Sequence, residues 1–209
     1  MANTDMNRLM DHARIRLPGA LDAAIQMELF AVMNEFFQTS NIWYEDIAFP
    51  VQPTVEYYLD NPEAYTYDVI PSQGAITRLV GVVNSQGYPQ KALMPTLGQV
   101  VLAYSPNAAD TYTARVALTV TDPVTREGYP EFPDWILNKY GNDILEGLLG
   151  RMMSQIAKPY TSTAGAQFHL KNFKQAVAQA KVEASHQNVY RGQSWRFPQT
   201  FARRRIYKF

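Results

Sequence analysis

The chain has 209 residues, of which 46% are apolar, 12% aromatic and 18% charged, and its 19 basic and 19 acidic groups cancel. That length suits one sizeable core, or one core with an appendage. The absence of cysteine excludes disulfides, thiolate metal sites and cysteine nucleophiles, and no apolar run approaches the ~20 residues needed to cross a bilayer. The start, Met1-Ala2-Asn3-Thr4-Asp5, lacks the apolar stretch of a signal peptide, so a soluble chain with no membrane partner is expected. The low charge and the 13 Tyr and 10 Phe fit either a surface covered by partners or a large aromatic core.

The charges are unevenly placed. Residues 1–150 carry 8 basic and 18 acidic side chains, whereas residues 151–209 carry 11 basic and 1 acidic. Six of those basic residues lie between Arg191 and Phe209, with no acid among them. An asymmetry of this size predicts a tail that meets something acidic.

In chain order, Asp5 to Ile15 reads as a short helix with Met6, Leu9, Met10 and Ala13 on one side. Pro18 and Gly19 interrupt it, and Pro is well tolerated at the start of a new helix. Leu21, Ile25, Leu29, Val32 and Phe36 recur at helical spacing and predict a helix over 18–40, ended by Thr39-Ser40-Asn41. From 43 to 122 the period falls to two. Ile47, Phe49 and Val51 alternate, as do Val55, Tyr57 and Leu59. Gln99 to Tyr104 and Tyr112 to Val120 read as strands, the second with Arg115, Ala117 and Thr119 on a wet face. A wet face favours an antiparallel sheet. Ser85-Gln86-Gly87-Tyr88-Pro89 reads as a loop.

Ile136, Tyr140, Ile144, Leu148, Met152 and Ile156 step by four and predict a helix over 133–157. Gly141, Gly147 and Gly150 each cost about 1 kcal/mol relative to Ala there, so something is expected to pack close against them. Lys158-Pro159-Tyr160 breaks this helix. A last one over 164–191 presents Ala166, Leu170, Phe173, Val177, Ala180 and Ala184 to a core. The segment 192–209 has no stable period. It is too polar to bury itself and too aromatic for a solvating tail, so it reads as an arm ordered by a partner.

No catalytic constellation emerges. His12, His169 and His186 have no second ligand at metal-binding spacing, and His169 and His186 are too far apart along one helix to share an ion. Glu45 and Asp46 are adjacent on a strand and so point to opposite faces. Glu131 and Asp134 fall at a helix start, where acids favour the dipole. Thr161-Ser162-Thr163 precedes a helix and reads as its cap. No phosphate-cradling loop, dinucleotide fingerprint or nucleophile elbow occurs. No cofactor, metal or catalytic residue is expected. The arm stands out instead: Trp195, Arg196, Phe197, Phe201, Arg203, Arg204, Arg205, Tyr207 and Phe209. Such a set suits a grooved acidic protein, with aromatics as anchors and arginines as bidentate partners. It also suits phosphates and stacked bases.

The order of segments carries a further signal. Leu17-Pro18-Gly19-Ala20 opens a helix that closes in Asn34-Glu35-Phe36-Phe37-Gln38-Thr39-Ser40-Asn41-Ile42-Trp43. The strand region ends in Ala114-Arg115-Val116-Ala117-Leu118-Thr119-Val120-Thr121-Asp122-Pro123. Then come Pro133-Asp134-Trp135-Ile136, the helix with Ile144-Leu145-Glu146-Gly147-Leu148-Leu149-Gly150-Arg151-Met152, Lys158-Pro159-Tyr160, and the helix holding Phe173, Ala176 and Ala180. From about residue 10 to its end the chain resembles the head-to-tail adaptor (connector) proteins of tailed bacteriophages.

The resemblance implies a non-enzymatic virion protein of the neck, assembled in the host cytoplasm. It implies a ring, usually of twelve copies, between the portal protein and a tail or nozzle protein. Double-stranded DNA would pass through the ring's channel without specific binding, and the C-terminal arm would reach the portal. The expected fold is α+β: a single adaptor domain over 1–191, in which a long-helix bundle carries an antiparallel β-sheet or small sandwich, and an extended C-terminal arm over 192–209. A nucleic-acid-binding module using the basic arm, and another tail or neck ring component, are the alternatives.

Overall fold

A computed structural model of the chain describes residues 2–53, 65–121 and 132–187. Helix α1 spans Ala2–Arg16, and Met6, Leu9, Met10 and Ala13 are all buried, as their spacing predicts. The Leu17 N–H still bonds to the Ala13 carbonyl, and Gly19 then turns the chain at φ +80°. Helix α2 therefore begins at Asp22, four residues later than Pro18, and runs to Ser40. It ends as expected: Asn41 takes the left-handed conformation, φ 53°, and its N–H bonds to the Phe37 carbonyl. Asn is among the few non-glycine residues suited to that cap.

Among the described residues seven strands follow: β1 Tyr44–Val51, β2 Thr66–Asp68, β3 Ala75–Val83, β4 Pro89–Gln90, β5 Ala92–Thr96, β6 Gln99–Leu102 and β7 Asp110–Thr119. They form two antiparallel sheets, ordered β1-β7-β3-β4 and β2-β6-β5. The sheets meet where Phe49 of β1 packs against Tyr67 of β2, ring centroids 5.2 Å apart, while Phe49 also packs against its cross-strand partner Tyr112 within its own sheet. Three strand prolines, Pro50, Pro89 and Pro95, lie on the edge strands β1, β4 and β5, where a missing N–H breaks no ladder. The expected strand of Val55, Tyr57 and Leu59 lies outside the described residues.

One expectation fails in β7. Its alternation of buried and wetter residues holds only as far as Val116; Ala117 and Thr119, read as solvent-facing, are buried. The strand is central in its sheet, and α2 covers its far end, with the Thr119 hydroxyl donating to Asn34 Oδ1 at 2.5 Å.

Helix α3 spans Asp134–Met153 and α4 Thr163–Gln187. Ile156, counted in the α3 stripe, is 88% exposed because the helix stops three residues earlier. Helix α3 packs on α1, α2 and α4. Adjacent aromatics on α2 face different layers. Phe36 meets Tyr140 of α3 and Phe173 of α4 at 5.3 and 6.2 Å, whereas Phe37 meets Trp43 beside β1 and Phe132. Successive helical positions are about 100° apart, so one turn of α2 joins helices to strands. The result is one contiguous apolar core and an α+β fold.

Candidate interaction surfaces

Several of the residues that reactive chemistry would use are engaged in structural roles. His169 Nδ1 donates to Glu146 Oε2 at 2.9 Å, joining α4 to α3, and Asn172 Nδ2 donates to the same oxygen at 2.9 Å. Burial pushes the Glu146 carboxyl up, but those two hydrogen bonds outweigh it and hold it below the ordinary range. Asp143, one turn earlier, is pushed up by burial and by the charge of Glu146. The Ser162 hydroxyl caps α4 by accepting from the Gly165 N–H at 3.1 Å. The Thr161 hydroxyl donates to the Gln155 carbonyl. With His169 held by Glu146, no nucleophile and base meet there.

Glu45 and Asp46 diverge as their alternation predicts. Asp46 forms a two-pronged cross-strand ion pair with Arg115, whereas Glu45 accepts from the Ser72 N–H. Asp134 sits in the first turn of α3, and Glu131 lies outside the described residues. His12 is exposed in a cleft of about 180 Å³ between α1 and α3, and His186 is exposed in the last turn of α4. Among the described residues the cleft is lined by Arg8, Asn138 and Asn142 and by no carboxylate. Among the described residues no group of three or more His, Cys, Asp or Glu could hold a metal ion.

The glycines of α3 divide by contact. A Cβ at Gly147 would lie 2.7 Å from both Phe173 of α4 and Val32 of α2, and one at Gly150 would lie 2.7 Å from Leu170. Those two permit three helices to converge. A Cβ at Gly141 would meet nothing nearer than 4.0 Å, so the close packing expected at all three exists at two.

The nine arm residues, Trp195, Arg196, Phe197, Phe201, Arg203, Arg204, Arg205, Tyr207 and Phe209, lie outside the described residues. The described surface offers something the sequence reading missed. One face of α4 is buried through Ala166, Phe173, Val177, Ala180 and Ala184. On the opposite side Ala164, Phe168, Lys171, Gln175, Ala178 and Val182 form a second row, with spacings alternating four and three. All six are exposed, Phe168 to 61% and Val182 to 55%. Lys174 and Lys181 flank the row, and none of the three lysines has an acidic partner among the described residues. The one acid of α4, Glu183, is taken on the other side by Lys139 and by the Tyr140 hydroxyl at 2.6 Å.

Helix α2 has the opposite character. It carries Asp22, Glu28 and Glu35 and no basic residue. Asp22 shares Arg14 with Asp11, and Glu28 shares Arg151 with Glu35, so each guanidinium faces two carboxylates. Between these clusters Met27 is 75% exposed, next to Ala23, Ala24 and Ala31. Among the described residues no helix is long and apolar enough to cross a membrane. No protein-family model matches the chain, and no curated protein is similar to it in sequence.

Proposed function

We propose that the chain is a subunit of a virion neck ring, a head-to-tail adaptor that joins a portal ring to a tail or nozzle protein and extends the DNA channel. The observation that carries this reading is the outer face of α4, with Phe168 and Val182 exposed and three lysines that have no acidic partner among the described residues. Exposed apolar side chains set among unpaired charges of one sign are what an assembly surface needs. The acidic α2 is a different surface, and a subunit with two unlike faces can join copies head to tail, the arrangement that closes into rings. The order of segments resembles that of adaptor proteins, and the basic, aromatic arm suits an acidic groove on a portal. Repetition around a ring lets contacts that are individually weak accumulate.

The test is to mix the purified chain with a portal ring and size the product, with and without residues 192–209. Arm-dependent co-assembly at about one chain per portal subunit is the expected result. Absence of portal binding, together with salt-sensitive DNA binding lost when Arg203, Arg204 and Arg205 become Ala, would replace the adaptor reading with a nucleic-acid module.

A further inference from the structure

Helix α4 carries two heptad rows on opposite sides, and among the described residues only one of them is filled. A row spaced alternately four and three is the seam by which one helix packs along another at a shallow angle. The unfilled row therefore fits a helix. It has a bulky anchor at each end, Phe168 and Val182, separated by two heptads, or about 21 Å at helical rise. Between and beside them lie Lys171, Lys174 and Lys181, so the fitting helix is acidic and lined with small residues.

Helix α2 of this same chain has those properties. On its outer side Met27 and Ala23 are exposed and Ala24 and Ala31 beside them are half-buried, a shallow strip that accepts bulky side chains. Around that strip Asp11, Asp22, Glu28 and Glu35 are served, among the described residues, by Arg14 and Arg151 alone, leaving two negative charges in surplus. The lysine row of α4 supplies positive charge with no acid of its own. Both helices already pack on α3 with their buried faces, so these outward faces cannot meet within one molecule. We infer that the outer row of α4 in one copy docks on the Met27 face of α2 in the next copy, and that this contact closes the ring. The inference rests on the adaptor reading and names the subunit contact for it.

The chain has no cysteine, so introduced thiols report without background. Met27→Cys is combined in turn with Phe168→Cys and with Val182→Cys in the full-length chain, and each pair is treated with a short bismaleimide, alone and on a portal ring. A ladder of covalent oligomers from one of the pairs, absent from every single-cysteine variant, is expected, and the pair that links gives the direction of the helices. Lys171→Glu with Lys174→Glu is expected to weaken self-association at least tenfold without altering the circular dichroism spectrum. Oligomers that assemble with no ladder from either pair, or that ignore the lysine reversal, would overturn the contact and leave the adaptor reading standing. A chain that stays monomeric both alone and with the portal would overturn both. Lysine-dependent DNA binding without self-association would assign the row to phosphates instead.

Discussion

Alanine at each of the α3 glycines tests how closely the helices approach. In an exposed helix the added methyl group stabilises by about 1 kcal/mol relative to Gly. At Gly147 it must fit 2.7 Å from Phe173 Cδ2 and from Val32 Cγ1, both of which are buried and cannot swing into solvent. Overpacking a closed site of this kind costs about 1–3 kcal/mol, so Gly147→Ala nets a loss of about 0–2 kcal/mol. At Gly150 the new methyl also lies 2.9 Å from the Leu170 backbone nitrogen, which no rotamer change can move. The net loss there should reach the upper end of that range or exceed it. At Gly141 the nearest atom is 4.0 Å away, and Ala should keep the whole gain of about 1 kcal/mol. Urea unfolding measures all three as shifts in midpoint at constant slope. Thermal unfolding would show about 2–4 °C per kcal/mol for a chain of this size. Gly147→Ala and Gly150→Ala variants as stable as Gly141→Ala would refute the three-helix convergence.

Two neighbouring carboxylates should shift stability with opposite dependence on pH. Asp143 binds its proton more tightly in the folded chain than its ordinary value of 3.8 implies, so its stabilising contribution is present in acid and lost as pH rises through the folded value. Asp143→Asn should therefore raise stability at pH 7, by under about 1 kcal/mol given solvent screening, with no gain in acid, as read from urea midpoints across pH. Glu146 is shifted down from 4.5, so its contribution is present at neutral pH and lost as pH falls through the folded value. Glu146→Gln should weaken the fold at neutral pH and make no difference in strong acid, and an unchanged neutral-pH midpoint would refute its role as the acceptor for His169 and Asn172. Phe36→Ala should cost about 3–5 kcal/mol, because the ring is fully buried among Phe37, Tyr140 and Phe173. Met27→Ala, on the exposed side of the same helix, should stay within about 0.5 kcal/mol by the same measurement.

Sequence alone determined what local periodicity and steric punctuation control. The stripe from Ile25 to Phe36, the αL-tolerant Asn41 after α2, the alternation of Ile47, Phe49 and Val51, and the core row of α4 each reflect the pitch of one helix or strand. They could be read without knowing what packs against them. Leu21, counted in the α2 stripe, instead precedes the helix and is exposed. The charge asymmetry and the aromatic, basic composition of residues 192–209 were legible for the same reason, since composition needs no coordinates. Tertiary structure decided whatever depends on which element lies next to which. Ala117 and Thr119 look solvent-facing by alternation, yet they are buried because β7 is flanked by two strands and covered at its end by α2. The three α3 glycines are identical in sequence terms, and only the placement of Val32, Phe173 and Leu170 separates them. Glu146 and His169 are 23 residues apart and meet only because α4 folds back on α3. The outer row of α4 was present in the sequence all along, but a helix shows two such rows wherever both sides carry some apolar residues. Burial of the row containing Phe173 is what leaves the row containing Phe168 exposed.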